Sequence, residues 1–423
     1  MPSTRPPAAR VPRHSRRTRR HGVLRLVATV LVGALTFVGG GAFAVYSNFA
    51  SNVGGGLDID ALRSEAPQDP EQTAEPQQEQ AADPRAGQAL NILLVGSDSR
   101  GGDENQAIGG GDVGGARSDT TLLMHIPADR SRVEAVSIPR DLLTDIPACP
   151  RTADDLTDTY ASERSQMFNK AFFNGSGQGD VHMGAYCTLL TVESLTGLTV
   201  DEYAVVDFAG FQRMVDSIGG VPMCIPEPIV DPRSDLDLAA GQQTLNGQQA
   251  LGLARARKIA GSDGSDIQRI DRQQELLAAV ARQVLSKNLV TDLPALLSFF
   301  DAVTDSLSVS TGLASPMNLA GIATSLGSVG ASGITFVTMP FDYSGARVVE
   351  NDLSEQLWDR LRTDEPIVTP EPPIVADPAT EAPPAGEETT DPAVETPAPE
   401  ETPVETPAPD PWTVVTGTDQ AVC

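Results

Sequence analysis

Histidine and cysteine are scarce in this sequence, with four of each in 423 residues, and no two cysteines form a Cys-x-x-Cys pair. A zinc site built from these side chains is therefore not expected. Aromatic residues make up only 4% of the chain, while 38 glycines and 33 prolines are present. That balance points to long non-globular segments around a folded core. Positive charge is also short: 30 Lys and Arg stand against 57 Asp and Glu, a formal net charge of -27. Such a surface repels nucleic acid and argues against nucleic acid as a partner. The length suits one large domain or two modest ones.

The positive charge that exists is gathered at the start. The first 25 residues hold eight arginines and no acid, and Leu26 to Tyr46 follows as 21 residues without a charge. A helix of that length crosses the hydrocarbon layer, and the flanking arginines mark the cytoplasmic side. The expected layout is a single-pass protein of the cell membrane, with a basic cytoplasmic tail (1–25), a transmembrane helix (26–46) and the remainder outside. Ala42-Phe43-Ala44 resembles a small-residue cleavage site, so a cleaved signal peptide is the rival; the length of the basic and apolar runs favours a retained anchor.

Residues 47–88 are rich in Pro, Gln and acid and read as an extended extracellular linker. Residues 89–363 read as the folded domain. Residues 364–423 carry Pro-Thr-Glu repeats such as VETPAPEETPVETPAPDP and read as a disordered acidic tail. Outside the membrane the cysteines can oxidise. Cys149 with Cys187 is the favoured pair, unpaired buried thiols are the alternative, and a bond between Cys224 and Cys423 stays open.

Within the folded region, short Val/Ile/Leu-rich runs alternate with helical segments. Strands are expected at 91–95, 120–126, 133–138, 202–206, 221–225 and 334–339. Helices are expected at 181–196, 208–217, 247–256, 267–285, 294–306 and 316–326, with Asn246 as an N-cap and Gly219-Gly220 as a stop. This is the pattern of an α/β domain with a central sheet and helices on both faces. In such sheets, ligands bind beyond the carboxyl ends of strands.

Those ends are unusually charged. NILLVG runs into Asp98 and Arg100; Arg117 and Asp119 lead into the second strand; the third ends in SIPRD, at Arg140 and Asp141. If the first two strands are antiparallel, Asp98 and Asp119 converge. Two close carboxylates repel unless a proton or cation lies between them. A hard divalent ion that shares its ligands with phosphates suits such a pair, and arginine forks suit the phosphates. Two such aspartates also make an ordinary salt-bridged sheet rim. A second basic cluster spans 245–274, with Arg255, Arg257, Arg269 and Arg272. In a regular helix Arg255 and Arg257 diverge by about 200°, so an extended or helix-ending backbone is needed to aim both one way. The glycine-rich insert 101–116 reads as either a lid or a disordered hairpin.

These segments, LLVGSDSR, ARSDTTLLMHI, VSIPRD, FNKAFFNG, LTGLTVDEYAVVDFAGFQRMVDSIGGV, LNGQQALGLARAR and GSDIQRIDRQQ, occur in order across about residues 90–285. Together they resemble the LytR–CpsA–Psr family of membrane-anchored cell-wall glycopolymer transferases, in its actinobacterial form. The resemblance implies a central mixed sheet between helices, and Mg²⁺ held by Asp98 and Asp119, with Mn²⁺ the alternative. It implies that Arg140, Arg255 and Arg257 grip the pyrophosphate of a polyprenyl-linked glycan. Arg100, Arg117, Arg269 and Gln273 would line or brace that site, and Asp141 would hold Arg140 or a loop amide. Either Asp119 or Asp266 would take the proton of the attacking peptidoglycan hydroxyl. The cargo implied is arabinogalactan first, then teichoic acid or capsule. A polyprenyl-pyrophosphate hydrolase and a non-enzymatic membrane regulator or wall-lipid binding module are the rival functions. Leu253 stands where the family often has tyrosine.

Overall fold

The computed structural model describes residues 56–65, 83–98, 105, 108, 116–256, 266–286, 307–368 and 414–416. Its centre is a seven-stranded mixed sheet built from β1 (Leu90–Ser97), β2 (Ser118–Ile126), β3 (Val133–Ser137), β4 (Glu202–Val206), β5 (Leu307–Val309), β6 (Ile334–Thr338) and β7 (Val414–Thr416), in the spatial order β5-β4-β1-β2-β3-β6-β7. β1 pairs with β4 in parallel and with β2 antiparallel, and β3 pairs with β6 in parallel. The carboxyl ends of β1, β3, β4 and β6 therefore share one edge of the sheet with the amino end of β2. The near-continuous apolar runs of β1 and β3 follow from burial on both faces.

One face carries α1 (Ile59–Glu65), α2 (Lys170–Gly175), α3 (Val181–Thr196) and α8 (Asp352–Arg362). Ile59, Phe172, Leu189, Leu357 and Trp358 pack there against Leu93, Val95 and Val136. Asp180 caps α3 by accepting from the His182 and Met183 amides, and Gly197 ends it in the left-handed conformation. The opposite face buries Leu90, Ile92, Ala135 and Phe336 under α6 (Asp266–Ser286) and α7 (Pro316–Ser325). A smaller core joins α4 (Phe208–Ser217), α5 (Gly247–Arg255) and α6 to two short ribbons. Asn246 forms a capping box with Gln249 at the start of α5. Gly219 and Gly220 both take positive φ after α4, as a sharp stop requires.

Several expected boundaries move. The strand at Val221–Ile225 pairs with Gly241–Leu245 in a separate ribbon and does not join the central sheet. The segment read as linker contains α1, whose Ile59 and Leu62 are buried in the main core. Asp83, also in that segment, pairs with the buried Arg130 at 3.0 Å. At the other end, the core continues past 363. Asp364 meets His125 Nε2 with one carboxylate oxygen and accepts from the Ala128 amide with the other, and the Ile367 amide donates to the buried Glu134 carboxylate. The segment read as disordered tail supplies β7, which covers the edge of β6 with Val415 opposite Phe336. The expected membrane span at 26–46 and helix at 294–306 lie outside the described residues; among those described, no helix is long and apolar enough to cross a membrane.

Cys149 and Cys187 form a disulfide, tying the chain after β3 to the middle of α3. Cys224 is disulfide-bonded as well, to a partner outside the described residues.

Candidate active site at the carboxyl edge of the sheet

The antiparallel pairing of β1 and β2 brings their charged ends together. The Asp98 amide donates to the Arg117 carbonyl at 3.0 Å, and the Arg117 amide donates to the Asp98 carboxylate at 2.5 Å. The register slips here, with Gly96 opposite Thr120 but Ser97 opposite Ser118. Asp119 is the extra residue of this bulge, and a bulge re-aims the side chain it carries. Its Oδ1 accepts from Arg140 Nη1 at 2.8 Å. Arg140 reaches this point because β3 lies next to β2 and the chain turns at Pro139, where Leu142 N bonds the Pro139 carbonyl at 3.0 Å.

The second basic cluster arrives from α5 and α6. Helix α5 ends at Arg255 and Ala256 is extended, with φ −60° and ψ 125°. The helix therefore ends between Arg255 and Arg257, and Arg257 itself lies outside the described residues. The Arg255 guanidinium lies 4.5 Å from the Phe208 ring centroid and donates to the Ile108 carbonyl at 3.3 Å. Arg269, on α6, is only 3% exposed and reaches the Asp119 carbonyl at 3.5 Å. Gln273 donates to the Ala254 carbonyl at 2.9 Å, and Arg272 to the Ala256 carbonyl at 2.7 Å. Gln273 thus braces the end of α5 against α6. Burial pushes the Arg272 guanidinium down and the Asp271 carboxyl up from their ordinary values.

Arg117 lies over the ring of Phe173, 5.6 Å from its centroid, at the site's margin. Asp141 ion-pairs with Arg140 at the long end of the range. Its Oδ1 lies 3.9 Å from Arg140 Nε and accepts from Arg347 Nη1 at 3.2 Å. Two points of the glycine-rich insert are fastened. Asn105 is buried, donates to Asp207 at 2.8 Å and accepts from the Ala209 amide, and Ile108 offers its carbonyl to Arg255. The reading of this insert as a free hairpin fails at those two residues. Arg100, Arg257 and the side chain of Asp266 lie outside the described residues.

Asp98, Asp119, Arg117, Arg140, Arg255 and Arg269 therefore come to one edge of the sheet, as their positions at strand and helix ends require. Asp207, Phe208, Asn105, Phe173 and Arg347 were missed. Asp207 was legible as a cap before α4; Asn105 and Arg347 carry no local signal. The oxygen donors suit a hard cation: two carboxylates in neighbouring register, with arginines around them, fit Mg²⁺, which binds through one or two carboxylates and ligand phosphates. Among the described residues, no group of three or more His, Cys, Asp or Glu side chains is clustered as a cage of its own.

The fold and site define an α/β protein with an arginine-rich, phosphate-suited edge. The model of the LytR_cpsA_psr family matches residues 60–365, and the chain belongs to that family. It is 33% identical over 264 residues to the cell wall biosynthesis protein LcpA of Corynebacterium glutamicum, an alignment covering 60% of this chain and 50% of that one. It is 27% identical to the polyisoprenyl-teichoic acid–peptidoglycan teichoic acid transferase TagT of Bacillus subtilis, over 65% of this chain and 76% of that one. The chain spans about half the length of the LcpA relative. Among solved structures, protein gbs0355 of Streptococcus agalactiae superposes with a TM-score of 0.50 at 20% identity, over 66% of this chain and 88% of that one. The shared fold is the mixed sheet between helices.

Proposed function

We propose that this chain is a cell-wall glycopolymer transferase. It moves a glycan from a polyprenyl-pyrophosphate carrier to peptidoglycan and leaves a phosphodiester. The observation that carries this reading is the union of the two charged clusters: Arg140 bonds the Asp119 side chain while Arg269 bonds the same residue's carbonyl. A diphosphate needs several fixed cations at one point, and this edge supplies them from separate elements.

The acceptor hydroxyl attacks the phosphorus next to the sugar. The bond from that phosphorus to the bridging oxygen breaks, and polyprenyl phosphate leaves. Arg140, Arg255 and Arg257 bind the diphosphate and stabilise charge developing on the leaving phosphate. Asp119 or Asp266 accepts the hydroxyl proton. Asp98 and Asp119 would hold Mg²⁺ or Mn²⁺, which when bound neutralises phosphate charge. Holding donor and acceptor in line supplies much of the acceleration. The names of LcpA and TagT support wall polymers as the cargo class; arabinogalactan is ranked first, ahead of teichoic acid and capsule. A retained helix at 26–46, with the N-terminus cytoplasmic, would keep the domain outside and near its lipid-linked donor.

The test incubates the full chain with a polyprenyl-pyrophosphate oligosaccharide, Mg²⁺ and uncrosslinked peptidoglycan. Mass spectrometry then seeks a phosphodiester-linked glycan–muropeptide, which Arg140→Ala and Asp119→Asn should abolish. Polyprenyl phosphate released without adduct would replace this reading by a hydrolase. Binding without turnover, equal in all three proteins, would replace it by a binding module.

A further inference from the structure

The segment FNKAFFNG, from Phe168 to Gly175, stands on the turn that carries Arg140. The Asn169 amide donates to the Arg140 carbonyl at 3.2 Å, and the Phe168 amide donates to the Leu142 carbonyl at 2.8 Å. Helix α2 then offers three sides. Phe168, Ala171 and Phe172 are fully buried, with both rings in the main core. Lys170 and Asn174 lie on a second side and both bind Glu163, Asn174 at 3.0 Å. The remaining flank carries Asn169 and Phe173, four residues apart and so on one side of the helix. Phe173 shows which way this flank looks, because its ring lies under the Arg117 guanidinium at the margin of the site.

Asn169 is the unusual residue of this flank. It is only 6% exposed, yet among the described residues its side-chain amide has no hydrogen-bond partner. The amide is not sealed off, so a ligand can reach it. A buried amide without a partner is costly, and proteins keep few of them. α2 cannot relieve the cost by moving. Its two rings fix one side, and a β-carbon at Gly175 would come within 2.2 Å of the Met183 carbonyl oxygen. The amide is therefore placed for a group that arrives from outside the chain. Its chemistry narrows that group. The arginines of this edge offer donors only, which suits phosphate oxygens; an amide offers two N–H donors and a carbonyl acceptor. That combination matches a sugar hydroxyl or an acetamido group. The exposed part of Phe173 adds apolar surface beside it, as ligand sites with a few orienting polar groups do.

We propose that Asn169 is a sugar-binding residue of this site: its side-chain amide hydrogen-bonds a hydroxyl or acetamido group of a pyranose next to the reacting phosphorus, with Phe173 alongside. The inference rests on the phosphotransferase reading above and adds a saccharide subsite to it. Either the donor glycan or the peptidoglycan acceptor can supply such a ring, and the test separates the two.

The experiment compares wild type, Asn169→Ala and Asn169→Leu as full chains. It measures binding of geranylgeranyl pyrophosphate, which carries no sugar, binding of a polyprenyl-pyrophosphate oligosaccharide, transfer kinetics to peptidoglycan, and the melting temperature without ligand. Both variants should bind geranylgeranyl pyrophosphate within about twofold of wild type. They should lose about tenfold where the sugar is used, the effect of one buried hydrogen bond. A loss in affinity for the oligosaccharide donor assigns the subsite to the donor's sugar; a rise in KM for peptidoglycan assigns it to the acceptor's. The melting temperature should be equal or higher, since the free protein sheds an unpaired amide. Unchanged donor affinity together with unchanged KM for peptidoglycan would overturn the proposal. Equal losses on both pyrophosphates would overturn it too, because Asn169 would then be a prop for the Arg140 turn. A lower melting temperature in both variants would have the same meaning. Wild type that binds neither pyrophosphate would sink the phosphotransferase reading itself, and this inference with it.

Discussion

Arg140 and Asp119 meet at 2.8 Å although they leave different strands and point from opposite chain directions. β3 delivers the arginine at its carboxyl end, and β2 delivers the aspartate at its amino end, inside a bulge. The two side chains keep only 17% and 29% of their exposure, so the pair is largely covered by the elements that deliver it.

Arg140 is expected to be irreplaceable in shape as well as in charge. Arg140→Ala should lower kcat/KM by roughly 10²- to 10³-fold, the cost typical of removing a preorganised donor from a developing anion. Arg140→Lys keeps the charge but loses the planar fork, and should still cost about tenfold. Steady-state kinetics with the lipid-linked donor decide this; a lysine variant equal to wild type would show that only the charge matters.

Much of this site was legible because its residues sit where strands and helices stop, and stops are locally encoded. Short Val/Ile/Leu-rich runs bounded by Gly, Pro or Asp located β1, β2 and β3, and an antiparallel β1–β2 pair was enough to converge Asp98 on the Asp119 side. Gln273 was placed near the site by its motif, but its role as a brace on the Ala254 carbonyl depends on how α5 and α6 pack. The Asp141–Arg347 pair could not be read at all, since nothing local links the two segments. Helix α1 was hidden for a different reason. Its seven residues offer only Ile59 and Leu62 as large buried groups, too short a pattern to distinguish from linker.

The disulfide between Cys149 and Cys187 closes a separation of 38 residues, and both cysteines are buried. Loop-closure entropy assigns such a bond roughly 4 kcal/mol. Replacing both cysteines by serine should lower the melting temperature by about 10 °C in a domain of this size. Calorimetry checks this, and a shift below about 2 °C would mean that α3 is held by packing alone.

The edge strand β7 makes a separate prediction. Val415 lies opposite Phe336 and packs on the cluster of Leu122, Ala135 and Ala278. Val415→Asp places a charge against that apolar face and should detach the strand, exposing the β6 edge. Hydrogen exchange should then quicken at the Phe336 amide, which faces β7, while Thr335 and Val337, whose amides face β3, and the strand β1 stay protected. Unchanged exchange at β6 would show that β7 contributes nothing to the sheet.

His125 couples the base of the sheet to pH. It is fully buried, with Nδ1 2.8 Å from Asn91 Oδ1 and Nε2 2.9 Å from Asp364 Oδ1. Burial pushes its pKa below the ordinary 6.5, against the opposing pull of Asp364 and Glu134 and with Arg132 acting in the same direction as burial. The folded protein therefore binds this proton less readily than the unfolded chain. The associated stability is fully present above pH 6.5 and is lost as pH falls below 6.5 toward the lower folded value. His182 shifts the same way, while burial raises Asp201 and Glu202, whose contribution runs oppositely. The informative quantity is thus the difference between wild type and His125→Gln. Denaturant unfolding from pH 7.5 to 5 should show the wild type losing stability more steeply than the variant, by up to about 1.4 kcal/mol per pH unit. Parallel curves would mean that His125 binds its proton equally in both states, and that Asp364 cancels the cost of burial.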